Sequence, residues 1–195
     1  MPGGVVILDG HPDPAPERLC HALAEAYAEG AKSAGHGVEM VRVADLDIGF
    51  LRSAGDFNQG EVDEPVREIQ RAIESASHIV LIYPLWLGSM PAMFKASLEH
   101  LFRPGFAFGG EGKTTMASGR LKGRSARIVV TMGMPAFFYR LYFRAHSLKS
   151  LKRNILKFCG IKPVRATLLG MVESASEAKR SRWLETMRAL GRGLR

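Results

Sequence analysis

One run of six residues constrains this chain more than any other: His78-Ile-Val-Leu-Ile-Tyr83. It is continuously apolar instead of alternating, and β-branched residues dominate it. A strand of that kind is buried on both faces, which calls for a parallel sheet covered by helices above and below. Val5-Val6-Ile7-Leu8 repeats the pattern and stops at Asp9-Gly10-His11-Pro12, a strand running into a loop. Ala126–Thr131 is a third segment of the same type, and Val38–Val43 and Val164–Leu169 bring the number of expected strands to five.

Helical periods lie between these strands. Leu19, Ala22, Leu23, Ala26, Tyr27 and Gly30 share one face at 3.6-residue spacing, with Gly35 as terminator. Val66, Ile69, Ala72 and Ile73 form a second face, begun by Asp63 with Pro65 in the first turn. Pro91 opens a helix to about Leu101, Ser147–Cys159 is another, and the capping-box pattern Ser174-x-x-Glu177 starts the last, through Trp183, Met187 and Leu190. Residues 45–62 and 103–124 show no sustained period and are expected to be loops. Strands alternating with helices predict an α/β fold: a doubly wound five-stranded parallel sheet with helices on both faces, in a single domain over residues 1–195.

Composition narrows the classes. The chain has 195 residues with 46% hydrophobic and 24% charged, ordinary for a globular domain. No apolar run approaches the ~20 residues of a membrane span. Met1-Pro-Gly-Gly has no basic region ahead of its short apolar run, so a cytoplasmic location is expected. Two cysteines, Cys20 and Cys159, make neither a disulfide framework nor a zinc site. Residues 1–119 hold 9 basic and 16 acidic side chains, and residues 120–195 hold 18 and 3. Lys149, Lys152, Arg153 and Lys157 recur beside Leu148, Leu151, Ile155 and Phe158, which makes them the wet side of an amphipathic helix. With no interleaved exposed aromatics, the basic half is not read as a nucleic-acid surface.

In doubly wound sheets, ligands bind beyond the carboxyl ends of the strands, near the switch in strand order. Three segments meet that condition: Asp9–Cys20, Pro84–Met90 and Met132–Tyr139. The first is neither a Walker loop nor a GxGxxG, yet it leads into a helix N-terminus, which favours an anion. Pro12, Pro14 and Pro16 carry no N–H, so donors must come from Glu17 to Cys20, with Arg18 and His11 adding side-chain contacts. The second sets Trp86 beside Gly88, a flat apolar wall suited to a planar ring. In the third, Gly133 would let a ligand approach the backbone, and Tyr139 and His146 follow shortly after. Taken singly, the first loop reads better as a stiffened turn that binds nothing, and capping the core is the commoner use of a tryptophan placed like Trp86.

His11-Pro12, Tyr83-Pro-Leu-Trp-Leu-Gly-Ser-Met-Pro-Ala-Met-Phe-Lys95, Pro104-Gly-Phe-Ala-Phe108 and Thr131-Met-Gly-Met-Pro-Ala-Phe-Phe-Tyr139 occur in one order along the chain. In that combination the sequence resembles the NAD(P)H:quinone oxidoreductases, a flavodoxin-like family that includes DT-diaphorase, the modulator-of-drug-activity proteins and potassium-efflux ancillary reductases. The resemblance implies a bound flavin, FMN with FAD as the alternative, and NAD(P)H as hydride donor. It implies ping-pong transfer of a hydride through the flavin to quinones or similar flat electrophiles. It also implies a homodimer with the active site at the subunit interface, for which Phe106, Phe108 and Met116 are the expected contact surface. By position, Arg18, Leu19, Cys20 and His11 would hold the flavin phosphate. Pro84, Leu85, Trp86, Leu87 and Gly88 would pack along the isoalloxazine, and Thr131, Met132 and Gly133 would face its pyrimidine end. Tyr139 falls on the family's active-site tyrosine, and His146 lies close to its histidine partner. The same family includes ancillary subunits of membrane transporters, the alternative reading. Two departures stand out: the phosphate loop has Cys20 where relatives use hydroxyl or amide side chains, and Leu87 stands where a second aromatic is common.

Overall fold

In a computed structural model describing residues 3–109 and 119–195, five strands alternate with helices. In chain order they are β1 (Gly4–Asp9), α1 (Leu19–Ser33), β2 (Val38–Arg42), α2 (Ala54–Gln59), α3 (Glu64–Ser75), β3 (Ala76–Pro84), α4 (Ala92–Leu101), β4 (Ser125–Met132), α5 (Ala136–Leu141), α6 (His146–Ser150), β5 (Val164–Gly170) and α7 (Glu177–Arg192). All strand pairs are parallel, in the order β2-β1-β3-β4-β5. The order reverses between β1 and β3, so the switch point lies at the ends of these two strands.

The strand pleat divides the core in two. Val5, Ile7, Val80, Ile82 and Val129 point to the α1/α7 face; Val6, Leu8, Ile79, Leu81, Ile128 and Val130 point to the other. Each of these side chains is buried, worth about 1.5–3 kcal/mol apiece. Helices α1 and α7 meet at two glycines. A Cβ on Gly30 would lie 2.1 Å from the Arg188 carbonyl oxygen, and one on Gly191 would lie 2.1 Å from that of Tyr27. The backbones touch there, which no larger residue permits.

Three elements differ from the sequence reading, each for a local reason. Residues 45–62 are not loop throughout, since α2 is closed at its start by a reciprocal capping box of Ser53 and Asp56. Six residues with no buried face leave no apolar period to read. At its other end the buried Arg103 donates to the carbonyls of Phe57, Gly60 and Glu61 at 3.1, 2.9 and 3.0 Å. The final helix is capped by Ser176, whose hydroxyl accepts from the Lys179 amide, while Ser174 turns back to the Met171 carbonyl. The helix expected over Ser147–Cys159 begins at His146 and passes into wider, π-type turns over Leu151–Lys157. Phe106 and Phe108, expected as a contact surface, pack against the core. Phe108 lies 4.9 Å ring to ring from Phe158, and Met116 is outside the described residues.

Candidate cofactor site at the strand ends

A pocket of about 400 Å³ opens at the carboxyl ends of β1, β3 and β4. Its lining joins the three expected loops: His11, Arg18, Leu19 and Cys20; Pro84, Leu85 and Trp86; Thr131, Met132 and Gly133. Glu17 completes the first group, the turn after β5 adds Val172 and Glu173, and the first turn of α7 adds Arg180. Sequence reasoning missed those three, although they follow a strand's carboxyl end and so obey the same rule.

The first loop is built from side-chain bonds, since prolines at 12, 14 and 16 interrupt its amides. His11 N–H donates to Asp9 Oδ1 at 3.2 Å, Asp13 N–H to His11 Nδ1 at 3.1 Å, and Ala15 N–H to Asp13 Oδ1 at 2.9 Å. With Nδ1 accepting, a neutral His11 carries its hydrogen on Nε2. Burial, and then the nearby His21, hold His11 below the usual imidazole range. Helix α1 follows. Among the described residues no side chain caps it, and its first turn holds no acidic residue. The Leu19 and Cys20 amides thus stand at the pocket without an intrahelical acceptor, where the helix dipole favours negative charge. Phosphate suits this donor set. Cys20 contributes its amide only: its side chain is buried against the Thr131 hydroxyl at 3.4 Å, and burial pushes the thiol up to about 12.

The second loop is a tight turn. Trp86 and Ser89 exchange N–H···O bonds of 2.8 and 2.9 Å, and Leu87 and Gly88 take φ of 47° and 76° between them. The Leu85 amide donates to the Thr131 carbonyl at 2.8 Å, tying this turn to the third loop. Trp86 stands edge-on to His11 at 5.9 Å and is half exposed. It forms an aromatic wall at the pocket; it does not cap the core. Leu87 and Gly88 lie at the tip and do not line the pocket; Leu87 is fully exposed.

Tyr139 and His146 are not among the lining residues. Tyr139 is buried, its hydroxyl 2.8 Å from Ser147 Oγ and accepting the Leu148 amide at 3.3 Å. It fastens the first turn of α6, where His146 is exposed. The family resemblance implied an active-site role for both. Proline at 135 starts α5 early, and the turn that ends it carries the tyrosine inward.

Residues 4–190 match the model of a family described as flavodoxin-like fold. The chain belongs to this flavodoxin-like family. Curated relatives include an uncharacterized NAD(P)H oxidoreductase of Haemophilus influenzae, 28% identical over 129 residues, 66% of this chain and 63% of that one. Human ribosyldihydronicotinamide dehydrogenase [quinone] is 29% identical over 158 residues, 71% of this chain and 66% of the relative. The chain therefore spans less than two thirds of the length of either. Among solved structures, an FMN-dependent NADH-azoreductase from Bacillus anthracis in complex with FMN superposes with a TM-score of 0.77 at 16% identity, over 98% of this chain and 99% of that one. At that identity the likeness is one of fold. Among the described residues, no helix is long and apolar enough to cross a membrane, and no three metal-ligating side chains are gathered.

Proposed function

We propose that this flavodoxin-like chain is an FMN-dependent NAD(P)H oxidoreductase that reduces quinones or similarly flat electrophiles. One observation carries the reading: a single pocket joins free helix-terminal amides, an aromatic wall and a strand-end backbone suited in turn to the phosphate, rings and pyrimidine edge of a flavin. The relatives' names point the same way. Bound there, a flavin supplies the relay of a hydride from nicotinamide to acceptor. The chain's part is to bind, orient and stabilise charge. Leu19 and Cys20 amides with His11 Nε2–H take the phosphate. Pro84, Leu85 and Trp86 flank the rings, and Leu87 and Gly88 form the tip of the turn that carries Trp86. Thr131, Met132 and Gly133 supply backbone to the pyrimidine end, where negative charge collects on reduction. No observation favours the transporter-subunit alternative.

We also propose a two-fold homodimer in the cytoplasm. Phe137, Leu141 and Tyr142 are 65%, 76% and 72% exposed, and Phe138 stacks on Tyr142 at 4.9 Å beside Phe143. A contiguous apolar surface of that kind marks a contact with another molecule, and a second copy would cover it.

The test is direct. The purified chain should show flavin absorbance, release FMN (not FAD) on denaturation, and oxidise NAD(P)H with a quinone along parallel double-reciprocal lines. Absence of binding to either flavin would refute the reading, and converging lines would refute the shared slot. Light scattering at micromolar concentration should give twice 21.4 kDa.

A further inference from the structure

Two buried ionisable side chains lie beneath the pocket and have no part in the reading above. Asp9 ends β1 and is 0% exposed; His21, in the first turn of α1, is 1% exposed. Asp9 Oδ2 is hydrogen-bonded to His21 Nδ1. His21 Nε2 lies 2.9 Å from the Asp13 carbonyl oxygen. A carbonyl only accepts, so Nε2 carries a hydrogen, and one more is shared between Nδ1 and Oδ2. Both ring nitrogens and both carboxylate oxygens thus have partners, since Asp9 Oδ1 takes the His11 amide.

Such a pair is a poor way to gain stability, because desolvating two ionisable groups offsets most of their attraction. Its placement suggests another use. Prolines at 12, 14 and 16 leave only the amides of 11, 13 and 15 in this stretch, and each is accepted by the side chain two residues earlier: Asp9, His11, Asp13. Asp9 starts that ladder from the strand. His21 pins its middle from the helix, through the Asp13 carbonyl. The Asp13 carboxylate then holds Arg18, at the pocket, with Nε–Oδ2 at 2.7 Å.

We propose that Asp9 and His21 are positioning residues of the cofactor loop: locked together in the floor, they hold residues 11–16 so that His11 Nε2–H and the Leu19 and Cys20 amides converge on a phosphate. This rests on reading the pocket as the flavin-phosphate site. The two residues act through the loop and touch no ligand themselves.

The full chain, stripped of flavin, is titrated with FMN and with riboflavin, which lacks the phosphate, and amide exchange is followed over residues 11–20. Asp9→Asn keeps the Oδ1 acceptor and offers its NH2 to Nδ1, so it should hold the FMN dissociation constant within about threefold. Asp9→Asn combined with His21→Leu leaves no unpaired charge in the floor. It should weaken FMN by about 10–100-fold, as loss of supporting contacts does elsewhere, affect riboflavin much less, and release protection at the Asp13 and Ala15 amides. Unchanged FMN affinity in the double variant overturns the proposal. So does an equal loss for FMN and riboflavin with a lowered urea midpoint, the mark of general damage. If the parent chain binds no flavin, the reading of the pocket fails, and exchange decides the loop's anchoring alone. Protection lost in the double variant but kept in Asp9→Asn supports it, and unchanged protection overturns it.

Discussion

Arg18 grips the carboxylate of Asp13 from two donors, Nε at 2.7 Å and Nη2 at 2.5 Å from the same oxygen, at the mouth of the pocket. The Ala15 amide, and then Arg18, hold the Asp13 carboxyl below the usual carboxylate range. The one guanidinium of this loop is therefore shared between a resident carboxylate and any incoming phosphate. Arg18→Ala should raise the FMN dissociation constant about tenfold, the loss of one charge-assisted bond, and leave riboflavin binding alone. Asp13→Asn keeps the turn to Ala15 and frees Arg18, so FMN should bind several-fold tighter. Fluorescence titration of both variants checks the pair.

Tyr139 and His146 separate by readout. The buried Tyr139 hydroxyl serves Ser147 and Leu148. Tyr139→Phe should cost about 1–2 kcal/mol and loosen α6 along with the histidine it carries. His146 is exposed and outside the pocket lining, so His146→Ala should leave stability and flavin reduction unchanged; slowing of acceptor reduction by about 10–10³ would assign it to stabilising developing charge instead. Stopped-flow rates at confirmed flavin occupancy, beside urea melts, distinguish the two. Wild-type rates in both variants would leave the reaction to backbone donors and stacking.

His78 sets a pH dependence. It is buried on β3 with Nδ1 2.7 Å from Ser125 Oγ; burial, and then Arg127 and Arg165, lower it to about 4. Unfolded, the same imidazole titrates near 6.5. Between those values the unfolded chain binds a proton that the folded chain refuses, so stability falls as pH drops from about 6.5 to 4. The loss approaches about 3 kcal/mol, at 1.36 kcal/mol per unit. Urea midpoints across that range should slope in the parent and flatten in His78→Gln.

Gly191 tests the contact between α1 and α7. Alanine is the better helix former by about 1 kcal/mol, but its Cβ would sit 2.1 Å from the Tyr27 carbonyl oxygen, a backbone atom that cannot swing away. Gly191→Ala should lose about 1–3 kcal/mol or more, a drop in Tm of roughly 2–4 °C per kcal/mol. Gly37→Ala, with nothing within 4 Å, is the control and should melt as the parent does.

The sequence by itself determined the sheet, most of its helices and the end of it where the three loops line one pocket. Those follow from local pattern: the apolar run at 78–83 reads as a doubly covered strand, the period through Leu19–Gly30 as a helix with one buried face, and loops after such strands gather at one end of a parallel sheet. Tertiary structure alone decided what each side chain does there. Short helices such as α2 and α5 carry too few residues to show a period. Two serines, 174 and 176, offer the same cap, and only the chain's path after β5 chooses the second. Tyr139 looked like a pocket residue until α5 carried its ring inward. Arg18 looked like a free cation until Asp13 took it, and Asp9 and His21 are twelve positions apart. Hydrogen bonds depend on ångström distances between groups that the fold brings together, and those distances leave no period in the chain.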